Sequence, residues 1–116
     1  MEPSTAPVEI RKDEVARLYE ASIGGRVVGD LAYETTGGRV SLTHSYVDLD
    51  QRHRGIASAL ARYALEDVRR SGAKAGIYCG FVADYVEEHP EYADAVDINR
   101  SSFIATRTAR DTNGGH

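Results

Sequence analysis

Val47-Asp48-Leu49-Asp50-Gln51-Arg52-His53-Arg54-Gly55-Ile56-Ala57 is the stretch on which the reading of this chain turns. The run before it, Val40 to Val47, alternates and reads as a strand, and a helix-periodic run begins at about Ile56. A glycine-bearing turn with two arginines therefore separates a strand from a helix N-terminus. The first backbone N–H groups of a helix have no intrahelical partner, and its dipole favours negative charge beside them. Gly55 lets a ligand approach the backbone, and the small Ala57 leaves the approach open. Such a junction can hold a phosphate. An ordinary strand-to-helix turn with solvated arginines is the plainer alternative.

Outward from this junction, periodicity orders the rest. Toward the N-terminus, the strand Arg39–Val47 is preceded by a turn at Thr35-Thr36-Gly37-Gly38 and by a strand from about Arg26 to Tyr33. That strand places Val27, Leu31 and Tyr33 on one face and Val28 and Ala32 on the other. Gly24-Gly25 suits a two-residue hairpin turn, and Arg17 to Ile23 alternates before it. Val8 to Ile10 can add a short edge strand, and Met1 to Pro7 forms a flexible leader. Toward the C-terminus, Ile56, Ala57, Leu60, Ala61, Ala64, Leu65 and Val68 fill about half a helical wheel, with Gly72 at the stop. Lys74 to Cys79 reads as a strand; strand, helix and strand in that order make a right-handed crossover with parallel strands. Gly80 opens a second helix with Val82, Tyr85, Val86 and His89 on one face, ending at Pro90. From Asp97 the chain turns polar and is expected to be a disordered tail through His116. The expected fold is α/β (α+β): an antiparallel meander, a β-α-β crossover and a second helix on a mixed sheet, in one domain over 8–96.

Composition narrows the function classes. The 116 residues suffice for one modest core, and the net charge of −4 argues against a nucleic-acid module. One cysteine excludes an intrachain disulfide and a cysteine-rich metal site; the four histidines lack metal spacing, so no metal is expected. No apolar run reaches membrane-spanning length, and Met1 to Pro7 lacks the features of a signal peptide, so a cytoplasmic protein without membrane partners is expected. The triphosphate-binding, dinucleotide-binding and hydrolase-elbow glycine motifs are all missing.

Arg52, Gly55 and Ala57 have the spacing Arg-x-x-Gly-x-Ala, which resembles the pyrophosphate-binding signature of the GNAT N-acetyltransferases. His44-Ser45-Tyr46-Val47, Gly55-Ile56-Ala57, Cys79-Gly80-Phe81-Val82, Tyr85 and His89-Pro90-Glu91-Tyr92 follow in the order of a small, minimal branch of that superfamily. That branch comprises short proteins resembling N-acetyltransferase domain-containing protein 1. The match runs from about Arg17 to Val96, with mild departures at Ser45 and Gly80. Compared with larger relatives, the Gly24-Gly25 hairpin replaces the two helices that wall the acceptor, and strands after the last helix are not expected.

The resemblance implies a co-substrate, acetyl-CoA (or coenzyme A), along Val47, Leu49, Arg52, His53, Arg54, Gly55, Ile56, Ala57 and Ser58. It implies transfer of acetyl to an amine, such as a protein lysine or N-terminus, by a monomer or weak homodimer. A CoA-binding protein with little or no transferase activity is the alternative. Three residues are catalytic candidates, each with a plain counterpart. His44, on the apolar face with Val40 and Leu42, is a base close to Cys79 or to an incoming amine, or else a core histidine bonded to backbone. Cys79, at a strand end before a helix, is an acetyl carrier or a small buried residue. Tyr85 assists the departing CoA thiolate, as a tyrosine in this helix does in many relatives, or packs beside Val82.

Overall fold

The computed structural model describes residues 7–99. Six strands form one mixed sheet: β1 (Val8–Asp13), β2 (Leu18–Ile23), β3 (Arg26–Thr36), β4 (Arg39–Val47), β5 (Lys74–Ile77) and β6 (Val96–Asn99). Their order across the sheet is their order in the chain. β1 to β4 pair antiparallel, while β5 lies parallel to both β4 and β6. Helix α1 (Ile56–Ser71) makes the crossover from β4 to β5, and α2 (Gly80–Glu88) follows β5.

The helices form where local chemistry directs them. α1 ends at Gly72, which takes φ +80° and returns its N–H to the Arg69 carbonyl at 3.2 Å; glycine holds this left-handed conformation without steric cost. Ile56, Leu60, Ala61, Ala64, Leu65 and Val68 of α1 are buried against Tyr19, Ala21, Leu31, Tyr33 and Leu42 of the sheet. Burying one such leucine contributes about 1.5–3 kcal/mol. The alanines let the helix lie close to the strands. α2 packs on α1 through Val82, Ala83, Tyr85 and Val86. Both helices therefore cover one face of the sheet, and no helix among the described residues covers the other.

Several expected boundaries and faces differ. β1 continues to Asp13, so the meander has four strands. Between β2 and β3, Ala21 faces Gly29 while Ser22 faces Val27, leaving Val28 as an extra residue. This bulge reverses the alternation: Val28 is buried and Val27 is exposed. β5 stops at Ile77 rather than Cys79 because the chain turns there into α2, with Cys79 as its N-cap. A strand does follow the last helix. β6 pairs with β5 from Ala75↔Val96 to Ile77↔Asn99, so Asp97 to Asn99 are in the sheet. Backbone pairing, rather than side-chain periodicity, holds that short polar strand. The rest of the expected tail, and the leader before Pro7, lie outside the described residues.

Candidate active site at the parting of two strands

The junction is built by its backbone. The Asp48 N–H bonds the Val28 carbonyl at 2.8 Å, directing Asp48 toward β3. Strand alternation then turns the Val47 amide and carbonyl the other way, and the Val47 carbonyl accepts the Arg52 Nε at 3.1 Å. A 3-10 turn at Leu49–Gln51 follows, with the Gln51 N–H on the Asp48 carbonyl at 2.9 Å. His53 and Gly55 both have positive φ, +68° and +79°. Gly55 is the N-cap of α1, which has no side-chain cap and no acidic residue in its first turn. The N–H groups of Ile56, Ala57 and Ser58 thus point out of the helix end without an intrahelical acceptor. No heavy atom lies within 4 Å of where a Gly55 Cβ would stand. That space is open to a ligand.

These groups line a cleft of about 430 Å³. One wall is Arg52, His53 and Gly55 with Ile56, Ala57 and Ser58; the other carries Ser45, Tyr46, Val47, Gln51 and Phe81. The cleft exists because β4 and β5 part. Their pairing ends at Leu42↔Ile77, with a last bond from the Tyr78 N–H to the Leu42 carbonyl at 2.9 Å. Beyond it, Ala32 faces His44 and Tyr33 faces Leu42, which leaves Thr43 as an extra residue in β4. Its Oγ1 donates to the Ala32 carbonyl at 3.3 Å. The bulge bends β4 away from β5 and shifts the alternation by one. Ser45 and Val47 now face the helices, while His44 and Tyr46 face the open side. Ser45 and Tyr46 both line the cleft although they point to opposite faces. The cleft therefore follows the unpaired edge of β4, bordered by residues of both faces.

The expected site residues fall into two groups. Val47, Arg52, His53, Gly55, Ile56, Ala57 and Ser58 line the cleft. Leu49, 75 % exposed, and Arg54, whose guanidinium bonds Gln51 Oε1 at 2.5 Å, are not among its lining residues. The catalytic candidates are not brought together. His44 is exposed on the helix-free face, not on the apolar face with Leu42, because the Thr43 bulge intervenes. Cys79 is buried, and its Sγ lies 3.2 Å from Ser45 Oγ across the opening. Tyr85 lies one turn beyond Phe81, stacked on His89 with ring centroids 3.9 Å apart. Burial pushes its hydroxyl pKa up, against the pull of Arg62. His89 Nδ1 is 2.8 Å from the Tyr85 carbonyl, and Tyr92 donates to Glu66 at 2.7 Å. The Tyr92 hydroxyl is pushed up to about 12 by burial and by that bond. Among the described residues no group of three or more His, Cys, Asp or Glu side chains could hold a metal ion.

Sequence reasoning missed Ser45, Tyr46, Gln51 and Phe81. The tract Cys79-Gly80-Phe81 marked the neighbourhood of Phe81, but only the bulge tells which β4 residues border the cleft.

Comparison with known proteins agrees with this architecture. The profile of the family described as GCN5-related N-acetyl-transferase matches residues 18–95. Protein NATD1 of Gallus gallus is 36 % identical over 88 residues, covering 72 % of this chain and 78 % of that protein. Protein NATD1 of Homo sapiens is also 36 % identical over 88 residues, covering 72 % and 76 %. A GCN5-like protein from Staphylococcus aureus, solved by NMR, superposes with a TM-score of 0.62 at 17 % identity, over 78 % of this chain and 89 % of its own. That superposition extends the likeness to the fold. The chain belongs to the GCN5-related N-acetyltransferase family.

Proposed function

We propose that this protein is an acetyl-CoA-dependent N-acetyltransferase acting on an amine acceptor. The observation that carries the reading is the uncapped N-terminus of α1 opening into a cleft where β4 and β5 part. The residues fit the donor. Three N–H groups and the helix dipole suit a diphosphate, with Arg52 and His53 adding positive charge. Beyond Leu42 the β4 edge lacks a strand partner, so Ser45 and Val47 can offer hydrogen bonds to an extended arm. A bound acetyl thioester supplies an electrophilic carbonyl carbon and a thiolate leaving group.

The Val47 N–H, turned toward the opening, is placed to stabilise negative charge on a carbonyl oxygen. An amine reaches the opening from the helix-free face, where exposed His44 can receive its proton. Direct attack by the amine is the favoured route. Cys79 is buried, it is not among the cleft-lining residues, and His44 faces away from the helix side to which Ser45 and Cys79 belong. Transfer through Cys79 is the second reading, because its sulfur lies 3.2 Å from Ser45, which does line the cleft.

Native mass spectrometry and amine-stimulated turnover test the proposal together. Wild type should bind CoA and release it faster from acetyl-CoA when an amine is present. Binding without any amine stimulation would favour the alternative, a CoA-binding protein without transferase activity. Gly55→Val puts a branched side chain at φ +79° beside the diphosphate position; it should weaken CoA binding about tenfold, or ~1.4 kcal/mol. Cys79→Ser should keep most of the turnover. Its collapse, with an acetyl group mapped to Cys79 in wild type, would establish the second reading instead.

A further inference from the structure

On the helix-free face, Asp30 is a half-buried carboxylate with no hydrogen bond or ion pair among the described residues. It stands on β3 directly opposite Tyr46 of β4, so its side chain shares a face with Tyr46, which lines the cleft. His44, two residues earlier on β4, lies diagonally across from it. Burial pushes the Asp30 carboxyl pKa up; nearby His44 opposes this and Glu20 adds to it. A desolvated carboxylate without a cation costs stability. Glu20, its cross-strand neighbour on β2, already has Arg11 at 3.4 Å. Tyr46, 47 % exposed, lines the cleft, and Tyr78, 41 % exposed, directly follows the last β5 pairing at Ile77. Tyr78 also faces the open side, because its ring covers Gly76 alongside Arg39 and Ser41.

We propose that Asp30 recognises the acceptor, and that the acceptor is a lysine side chain in an extended segment of another protein laid across this face. The inference rests on the cleft being the acetyl-donor site. Charge complementarity selects the amine: lysine arrives as an ammonium, and Asp30 is a carboxylate near the opening with no ion pair among the described residues and only the titratable His44 beside it. His44, next to it on the same face, receives the proton as nitrogen is brought to the opening. The flat surface selects a polypeptide. Among the described residues no helix walls it into a pocket for a small amine, whereas Tyr46 and Tyr78 offer contact area to residues flanking the lysine. Glu20 places a second negative charge one strand further out.

NMR titration of the full chain with a short lysine-bearing peptide, with and without CoA, tests this. Amide shifts should centre on Asp30, His44 and Tyr46. Affinity should fall at least fivefold in Asp30→Asn, and also when the lysine of the peptide is acetylated. Asp30→Glu should recover part of it. Asp30→Asn should retain wild-type CoA affinity and a melting temperature no lower than wild type, since the carboxylate it loses is unpaired. Equal peptide affinity in wild type and Asp30→Asn, or shifts confined to other surfaces, would overturn the proposal. So would tighter binding of spermidine than of the peptide at these residues. Failure of wild type to bind CoA would count against the donor site alone, because the CoA-free titration still reports on Asp30.

Discussion

Tyr19, Asp67 and Lys12 show how single residues fasten the sheet to α1. Tyr19 is fully buried and donates to Asp67 at 2.9 Å, and the Lys12 ammonium lies 2.9 Å from the same carboxylate. Lys12 also sits over the rings of Tyr19 and Tyr33, 5.8 and 5.4 Å from their centroids. Burial alone would raise the Asp67 carboxyl, but hydrogen bonds from Lys12 and Tyr19 outweigh it and hold the carboxyl below the usual range. The bond to Asp67 raises Lys12 despite its burial. An aspartate with a depressed folded pKa stabilises above its unfolded value, about 3.9, and loses that contribution as pH falls through the folded value. A raised lysine stabilises below about 10.4 and loses its contribution as pH rises through the folded value. The link is therefore complete from about pH 5 to about pH 10. Asp67→Asn should cost about 1–2 kcal/mol at pH 7. Urea melts across pH should show that difference shrinking as pH falls below the ordinary carboxyl value, about 3.9, and wild type loses its carboxylate.

At the scale of elements, the junction between β4 and α1 was legible and the phase of its side chains was not. The bounds of β4 and the apolar stripe of α1 follow from alternation and helical period, because each has a clear apolar side and glycine near its end. Val28 and Thr43 defeat the same reasoning, since an extra residue leaves composition unchanged while reversing every side chain beyond it. That is why Val27 and His44 were expected on the wrong faces. β6 was missed because Val-Asp-Ile-Asn alternates too briefly to distinguish a strand from a polar tail. The α1 end of the cleft depends on backbone at one turn, and the sequence pointed to most of the residues that line it. The β4 side of the cleft depends on which residues face the helices and which the open side, and only register supplies that. Deleting Thr43 should keep Leu42, Ser45 and Val47 on the helix side while removing the bend between β4 and β5. Circular dichroism should remain that of a folded protein, and calorimetry should find CoA affinity reduced at least tenfold, more than ~1.4 kcal/mol.

Across the whole molecule, the strand order β1 through β6 has kinetic meaning. The four antiparallel strands close short loops at Gly24-Gly25 and Gly37-Gly38, and such local pairings cost little chain entropy. The step from β4 to β5 instead waits on the whole of α1, and it is secured by only four paired positions, from Arg39↔Lys74 to Leu42↔Ile77. The meander and the β5–α2–β6 segment are thus two folding units joined at one seam, with α1 lying over both. Subglobal opening concentrates at such junctions. Amides of Lys74 to Ile77 should exchange with deuterium faster than those in the middle of β3, and CoA, bound beside the seam, should slow them. Uniform exchange across all six strands would show one cooperative unit. Where the seam does open first, the place proposed to receive the acetyl donor is also the last part of the chain to become native, so the donor would act as a late folding ligand that retards unzipping from the β5 side.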